Sequence, residues 1–283
     1  MRCSARRGLA VGFFDGVHLG HQSVLRRAAA ALTFRTHPLS LLAPNRAPRL
    51  LMSPESRIAA IKNCGVGKVV GLDFTCDLAR MSAKEFMLRY LDRKTCDGVV
   101  YCGENWRFGR GGEGDARLLR SYGIDVEVIP YAEHLGDRIS STRIRAALEA
   151  GEIKDATAML GRPWTVDGVA FQGKGEGTAL GFPTINIRFK GLELQLRRGV
   201  YAVEAAGRRG IANYGVAPTF GDRAWKDPIL EVHFLDGMPC TQPESDWTVS
   251  FLGFLRPETV FPSLGDLRRQ INADIAALRQ GHV

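Results

Sequence analysis

Along the first 160 positions, two hydrophobic rhythms take turns. The short, nearly unbroken apolar runs LAVGFF, ALTF, KVVGLDF, DGVVYCG and IDVEVIPYA predict buried strands. Between them lie segments with helical spacing: one from Leu19 to Ala31, then SPESRIAAIKNCG, SAKEFMLRYL and GDARLLRSYG, and finally SSTRIRAALEAGE and IKDATAMLG in succession. Ser53 reads as an N-cap with Pro54 at the first helical position and Gly65 past the end, and Ser82 with Glu85 forms a capping box. Strand and helix in regular turn, with continuously apolar strands, predict a doubly wound α/β domain whose parallel sheet is covered on both faces.

The rhythm changes at Gly161-Arg162-Pro163-Trp164. Beyond it come alternating strands separated by turn residues: WTVDGVAF, GVYAVEAA, RGIANYG, PILEVHFLD and WTVSFLGFL. Gly207-Arg208-Arg209-Gly210 reads as a hairpin loop. The last segment, SLGDLRRQINADIAALR, places Leu264, Leu267, Ile271, Ile275 and Leu278 on one helical face. Two domains are predicted: residues 1–160, and a small antiparallel β-barrel with a C-terminal helix in residues 161–283.

Composition narrows the partners. The net charge of +8 suits an anionic partner, but there is no dense basic run interleaved with aromatics, so small phosphorylated ligands are favoured over nucleic acid. The six cysteines form no CxxC pair and are read as ordinary thiols rather than zinc ligands or a disulfide framework. No apolar run reaches the roughly 18 residues of a membrane span, and no signal-peptide core opens the chain, so a cytoplasmic location is expected.

Two constellations carry chemistry. GFFDGVHLGH follows the first strand and opens the first helix. Gly12, Gly16 and Gly20 permit a sharp turn close to a ligand. His18 and His21, three apart, add imidazole donors to the helix N-terminus, which suits a triphosphate. In ISSTRIR, Ser140, Ser141 and Thr142 are placed to cap a helix, while Arg143 and Arg145 oppose its dipole unless an anion binds there. In the second half, GKGEGTALGFPTIN has glycines suited to a flap over phosphates. Thr184 and Asn186 present hard oxygens appropriate to Mg²⁺. Glu231 interrupts an apolar strand, either as a surface residue or as a positioned general base.

HxGH after strand one with SSTRIR before a late helix resembles the nucleotidyltransferase superfamily. The longer forms GFFDGVHLGH, GENWRFG and ISSTRIR resemble the adenylyltransferase module of bacterial bifunctional riboflavin kinase/FAD synthetase. GFPTIN, ANYGVAPTF and LEVHFLD resemble the riboflavin kinase family, which has a PTAN motif and a catalytic glutamate. The motifs run in the expected order from Ala10 to near Ala277. In the first module the resemblance implies a nucleotidyltransferase-type fold that transfers AMP from ATP to FMN and releases pyrophosphate. His18 and His21 would hold phosphates beside Gly12, Phe14, Asp15, Gly16 and Gly20, with Ser141, Thr142 and Arg143 at the far end. His37, Pro38 and Asn105 would meet the flavin. In the second module Thr184 and Asn186 would organise Mg²⁺ with ATP, and Gly173, Gly175, Gly181, Pro183 and Asn213 would lie around the nucleotide. Glu231 would take the proton of riboflavin's terminal hydroxyl. The helix Asp266 to Ala277 would help close over the flavin, with Arg268 a candidate contact.

The implied partners are riboflavin, FMN and ATP, with no nucleic acid and no membrane, for a monomer or weak oligomer. The chain departs from the pattern at Phe13, where asparagine is usual, and at Thr36, where TFxPHP has its first proline. It is also short between His21 and Thr33, leaving little room for a full helix, a loop and a strand. Ala217, Ile185 and Val260 replace an arginine, an alanine and a lysine. The short stretch motivates an alternative: a riboflavin kinase with an impaired adenylyltransferase domain.

Overall fold

The computed structural model describes residues 7–91, 98–171, 173, 176–190, 196–215, 228–239 and 244–281. It divides into two compact units, Met1–Ser141 and Thr142–Val283. Among the described residues, no helix is long and apolar enough to cross a membrane.

In the first unit, strands β1 (Leu9–Val11), β2 (Ala30–Phe34), β3 (Lys68–Leu72), β4 (Val99–Gly103) and β5 (Asp125–Ile129) form a parallel sheet in the order β3-β2-β1-β4-β5. The predicted α/β arrangement is therefore present. Successive residues of β1 serve opposite faces: Leu9 and Val11 enter one apolar cluster and Ala10 the other. Helices α1 (Leu19–Leu25) and α3 (Pro54–Asn63) cover one face, α2 being the short Pro38–Leu42. Helices α4 (Cys76–Arg80), α5 (Ala83–Tyr90) and α6 (Ala116–Ser121) cover the other. A two-residue ladder, β6 (Glu133–His134) with β7 (Asp137–Arg138), follows β5.

Helix α1 ends at Leu25 rather than running to Ala31 as expected. The sheet takes the remainder: the amides of Ala29 and Ala30 both donate to the Gly8 carbonyl (3.1 and 3.2 Å), and Ala30 to Leu32 pair with Leu9 to Val11. Alanines favour a helix in isolation, but a buried backbone without ladder partners costs more than that preference is worth. The short stretch after His21 thus holds the end of a helix and the start of an interior strand of the sheet.

In the second unit, helices α7 (Ser141–Ala150, its first residue still in the first unit) and α8 (Ile153–Leu160) precede the strands. The strands β8 (Trp164–Phe171), β9 (Ile185–Phe189), β10 (Gly199–Ala205), β11 (Arg208–Gly215), β12 (Ile229–Phe234) and β13 (Asp246–Pro257) close into an antiparallel barrel ordered β10-β11-β12-β9-β8-β13. Trp164, Phe189, Tyr201, Tyr214 and Phe251 pack ring against ring. A single turn α9 (Glu176–Ala179) stands between β8 and β9, and α10 (Leu264–Arg279) closes the order.

Three expectations change here. Strand β9 was not foreseen, because PTIN reads as a ligand-bearing loop, yet it closes the barrel between β8 and β12. The hairpin loop is Ala206-Gly207 rather than Gly207–Gly210: both residues take positive φ (49° and 70°), the geometry of a two-residue turn that matches strand twist. On α10, Ile271, Ile275 and Leu278 face Val200, Ala202 and Ile211, but Leu264, at the first turn, is exposed.

What fixes α10 is a charge pair that periodicity does not reveal. Arg256 on β13 makes a forked contact with Asp274: Nε donates to both carboxylate oxygens (3.2 and 2.9 Å) and Nη2 lies 2.9 Å from Oδ2. Gln270 Nε2 adds a third donor at 2.8 Å. The pair is largely buried, at 19% and 6% side-chain exposure, so removing one partner strands the other. Asp274→Ala is expected to lower the second unit's unfolding free energy by about 3 kcal/mol in denaturant titration. A change within error would show that apolar packing alone holds the helix.

Candidate active sites

The first constellation grows from the turn after β1. Phe14, Gly16 and Val17 all take positive φ (58°, 80° and 42°), which folds the chain back so that α1 starts at Leu19. Gly12 must remain glycine, because a Cβ there would lie 2.8 Å from the Phe14 ring. The loop sits beyond the carboxyl end of β1, between β1 and β4, where the strand order reverses and open α/β sheets bind ligands.

His18 caps α1: its Nδ1 accepts from the His21 amide (3.3 Å), which leaves the ring proton on Nε2. The His18 and His21 rings stack 3.6 Å apart, and Phe14 meets His21 edge-on at 5.4 Å. Gly20 lies against the His18 ring. Nδ1 of His21 is buried with no hydrogen-bond partner among the described residues. Burial first, then the neighbouring His18 ring, then Arg138, hold the His21 pKa well below the ordinary imidazole value. His21 is therefore neutral at pH 7, and an arriving polyanion would favour its protonation.

Asp15, expected beside the ligand, turns inward. Both carboxylate oxygens accept from the Leu51 amide (3.1 Å each), and its carbonyl accepts from Ser141 Oγ (2.9 Å). Ser141, the last residue of the first unit, thus braces the turn after β1, and Thr142 and Arg143 follow it in the chain. His37, expected beside the flavin, caps α2: its Nδ1 accepts from the Leu39 amide (3.1 Å), with Pro38 as the first helical residue. Phe13, at the unusual position, stands edge-on to His37 at 4.7 Å. Asn105 is exposed in the turn after β4, whereas Trp106 and Phe108 stack at 4.8 Å as core aromatics.

The second constellation is set by strand register. Asn186 on β9 lies opposite Glu231 on β12, and Glu231 lies opposite Asn213 on β11. Directly paired residues project to the same face, so these three polar side chains form a row across three strands. Their neighbours Ile185, Ile187, Leu230, Val232, Ala212 and Tyr214 are buried on the other face. Backbone approaches the row from the glycine segment. A Cβ at Gly173 would run into the Asn186 amide, and one at Gly177 would sit 3.1 Å from Thr184 Oγ1. Gly181 takes φ +86° and is exposed, and Gly175 lies outside the described residues. Arg268 is exposed on α10.

Three residues near these sites were not singled out from the sequence. His233 donates from Nδ1 to the Pro183 carbonyl (2.9 Å) and so fixes the segment bearing Thr184. Its spacing of two from Glu231 was the available signal. Glu258 accepts from Asn213 Nδ2 (3.4 Å), and Arg138 sits over Tyr131 at 3.6 Å. Of the cysteines, Cys102 is buried with its thiol pushed up to about 11 by desolvation, Cys64 is half-buried and Cys76 is exposed. Cys3, Cys96 and Cys240 lie outside the described residues.

A family model described as FAD synthetase matches residues 2–143, and one described as riboflavin kinase matches residues 160–281. The bifunctional riboflavin kinase/FMN adenylyltransferase of Listeria monocytogenes is 32% identical, covering 94% of this chain and 89% of the relative. The protein of that name from Pseudomonas fluorescens is 35% identical over 95% and 91%. A crystal structure described as a macrolide-efflux protein from Streptococcus pneumoniae superposes with a TM-score of 0.86 at 28% identity, over 98% of this chain and 95% of that one.

The state of His21 has a measurable consequence. Its folded pKa lies below the unfolded value near 6.5, so the unfolded chain takes up the proton first. The stability it contributes is full above that value and declines as pH falls below it. The stability of the first unit against denaturant is expected to fall below about pH 6.5 by at most about 1.4 kcal/mol per pH unit. His21→Gln should flatten that slope, and equal slopes in both proteins would refute the assignment.

Proposed function

Because this chain belongs to the bifunctional riboflavin kinase/FMN adenylyltransferase family, and is a transferase with both activities, we propose that the two reactions use the two constellations separately. The substrates are riboflavin, FMN and ATP, and the products FMN and FAD. The reading rests on one observation, the β9-β12-β11 register that lines Asn186, Glu231 and Asn213 across a single face.

At that row, Glu231 accepts the proton of riboflavin's terminal ribityl hydroxyl as the oxygen attacks the γ-phosphorus of ATP. The bond from the γ-phosphorus to the β-phosphate breaks and ADP leaves. Asn213 holds Glu231's neighbourhood polar, and the Gly173–Gly181 backbone lies over the phosphates with Pro183 as its rigid end. Thr184 and Asn186 would hold Mg²⁺: they are hard oxygen donors, and the glycines around them leave a cradle that a Cβ would fill. Mg²⁺ bound there would neutralise charge developing on the phosphates.

In the first unit the chemistry is positioning and charge neutralisation, with no side chain forming a bond to substrate. A phosphate oxygen of FMN attacks the α-phosphorus of ATP, the bond from the α-phosphorus to the β-phosphate breaks, and pyrophosphate leaves. His18 Nε2 and His21 donate to the phosphates at the N-terminus of α1, with Gly12, Phe14, Gly16 and Gly20 shaping the loop. Ser141, Thr142 and Arg143 hold the far phosphates, and His37, Pro38 and Asn105 bound the flavin. Asp15 acts through the loop it braces. The enzyme works in the cytoplasm as a monomer or weak oligomer, and its +8 charge serves anionic substrates rather than nucleic acid.

Purified protein given FMN, ATP and Mg²⁺ is expected to make FAD, and given riboflavin to make FMN. Glu231→Ala should reduce FMN formation by at least about 10²-fold while sparing FAD formation from FMN. His21→Ala should do the reverse. Either substitution removing both activities from folded protein would overturn the two-site reading.

A further inference from the structure

Arg57 is among the largest fully buried side chains of the described residues, at 1% exposure, and it carries a guanidinium. A lone cation in a domain interior is costly unless paired and hydrogen-bonded. Its Nη2 donates to two carbonyls, Phe34 (2.7 Å) and Arg35 (2.8 Å), at the end of β2. These are the residues that lead into Thr36, His37 and Pro38. Its Cζ lies 4.1 Å from the centre of the Phe13 ring, and Phe13 in turn meets His37 edge-on at 4.7 Å. Burial lowers its pKa, while the nearby carboxylates of Asp15 and then Glu55 act against that shift. An arginine so placed remains protonated at neutral pH. Nε and Nη1 are buried and have no hydrogen-bond partner among the described residues.

One side chain therefore touches both halves of the first site. It grips the backbone that delivers the flavin-side residues, and it lies under Phe13 and close to Asp15 in the phosphate loop. We propose that Arg57 is a positioning residue for adenylyl transfer, setting the distance and angle between the FMN-side segment 34–38 and the phosphate loop 12–21. This deepens the reading given above and rests on it. In-line attack needs the FMN phosphate oxygen and the α-phosphorus held near contact and aligned, and a displacement of about 1 Å costs on the order of 10²-fold in rate. The buried charge also adds a fixed positive potential beneath the loop where pyrophosphate develops its charge.

The role can be separated from a merely structural one with Arg57→Met and Arg57→Lys, assayed in the full-length chain. Met keeps much of the apolar stem but removes the charge and both carbonyl bonds. Lys keeps the charge and can reach one carbonyl. For Arg57→Met, the kcat for FAD formation from FMN is expected to fall about 10²-fold, with the KM for ATP and for FMN changing less than the kcat. Arg57→Lys should recover part of the loss. Phosphorylation of riboflavin, measured on the same samples, should match wild type. Thermal unfolding followed by near-UV circular dichroism establishes that the first unit remains folded at the assay temperature.

A folded Met variant whose kcat stays within twofold of wild type would overturn the proposal. So would a Lys variant as impaired as Met, or a loss that tracks only the fraction of unfolded protein. If wild type itself makes no FAD, the two-site reading falls first. Wild-type FAD synthesis with a fully active Met variant refutes Arg57 alone.

Discussion

The turn after β1 depends on a buried carboxylate. Phe14 and Val17 occupy left-handed backbone conformations that cost about 1–3 kcal/mol each in residues other than glycine. Asp15, between them, is 3% exposed, takes the Leu51 amide on both oxygens and offers its own carbonyl to Ser141. Three stretches distant in sequence are joined at that residue. Its carboxylate is therefore an internal fastener. With the turn fixed, α1 begins at Leu19, with the stacked imidazoles of His18 and His21 at its start.

The second unit solves the same problem by a different route. Its polar row is carried by strands, and each member is placed by backbone ladder bonds to both neighbours. His233 adds the link to the segment before β9 through Pro183. The Arg256–Asp274 fork then anchors α10 across the adjacent face, over Val200 and Ile211. Rigid placement by strands suits a proton acceptor, which must meet one hydroxyl at hydrogen-bond distance. A loop with amides facing outward suits a flexible polyphosphate.

Much of this was legible in the sequence for identifiable reasons. The alternation of helix and strand, the Ser82–Glu85 capping box and the GFFDGVHLGH loop are local features, and local spacing states them. The end of α1 was not legible, because whether Ala28 to Ala31 extend a helix or enter a sheet is decided by Gly8, twenty residues away. Strand β9 hid behind its own ligand-like residues. Asp15 was read as part of the phosphate loop, and the turn of its carboxylate toward the Leu51 amide is a tertiary feature that nothing in a sequence shows. Arg57 and Asp274 stand in helices whose charged residues look solvent-facing, and only the folded chain shows them buried. Leu264 failed in the opposite sense: its periodicity is right, yet it lies in the first turn, beyond the edge of the surface that α10 covers.

Closure of the barrel has an effect on how this protein could change over time. Along a strand, side chains alternate between faces, so inserting or deleting one residue in β9, β11 or β12 would turn every later side chain of that strand to the opposite side. In an open sheet an edge strand could slide to absorb the error. Here each strand is paired on both sides, and a slip in one must break two ladders at once. Single-residue length variation is thus excluded from the strands bearing Asn186, Asn213 and Glu231 and diverted into the connections between them. A change of length in a connection leaves the row of polar side chains in phase, as one inside a strand does not.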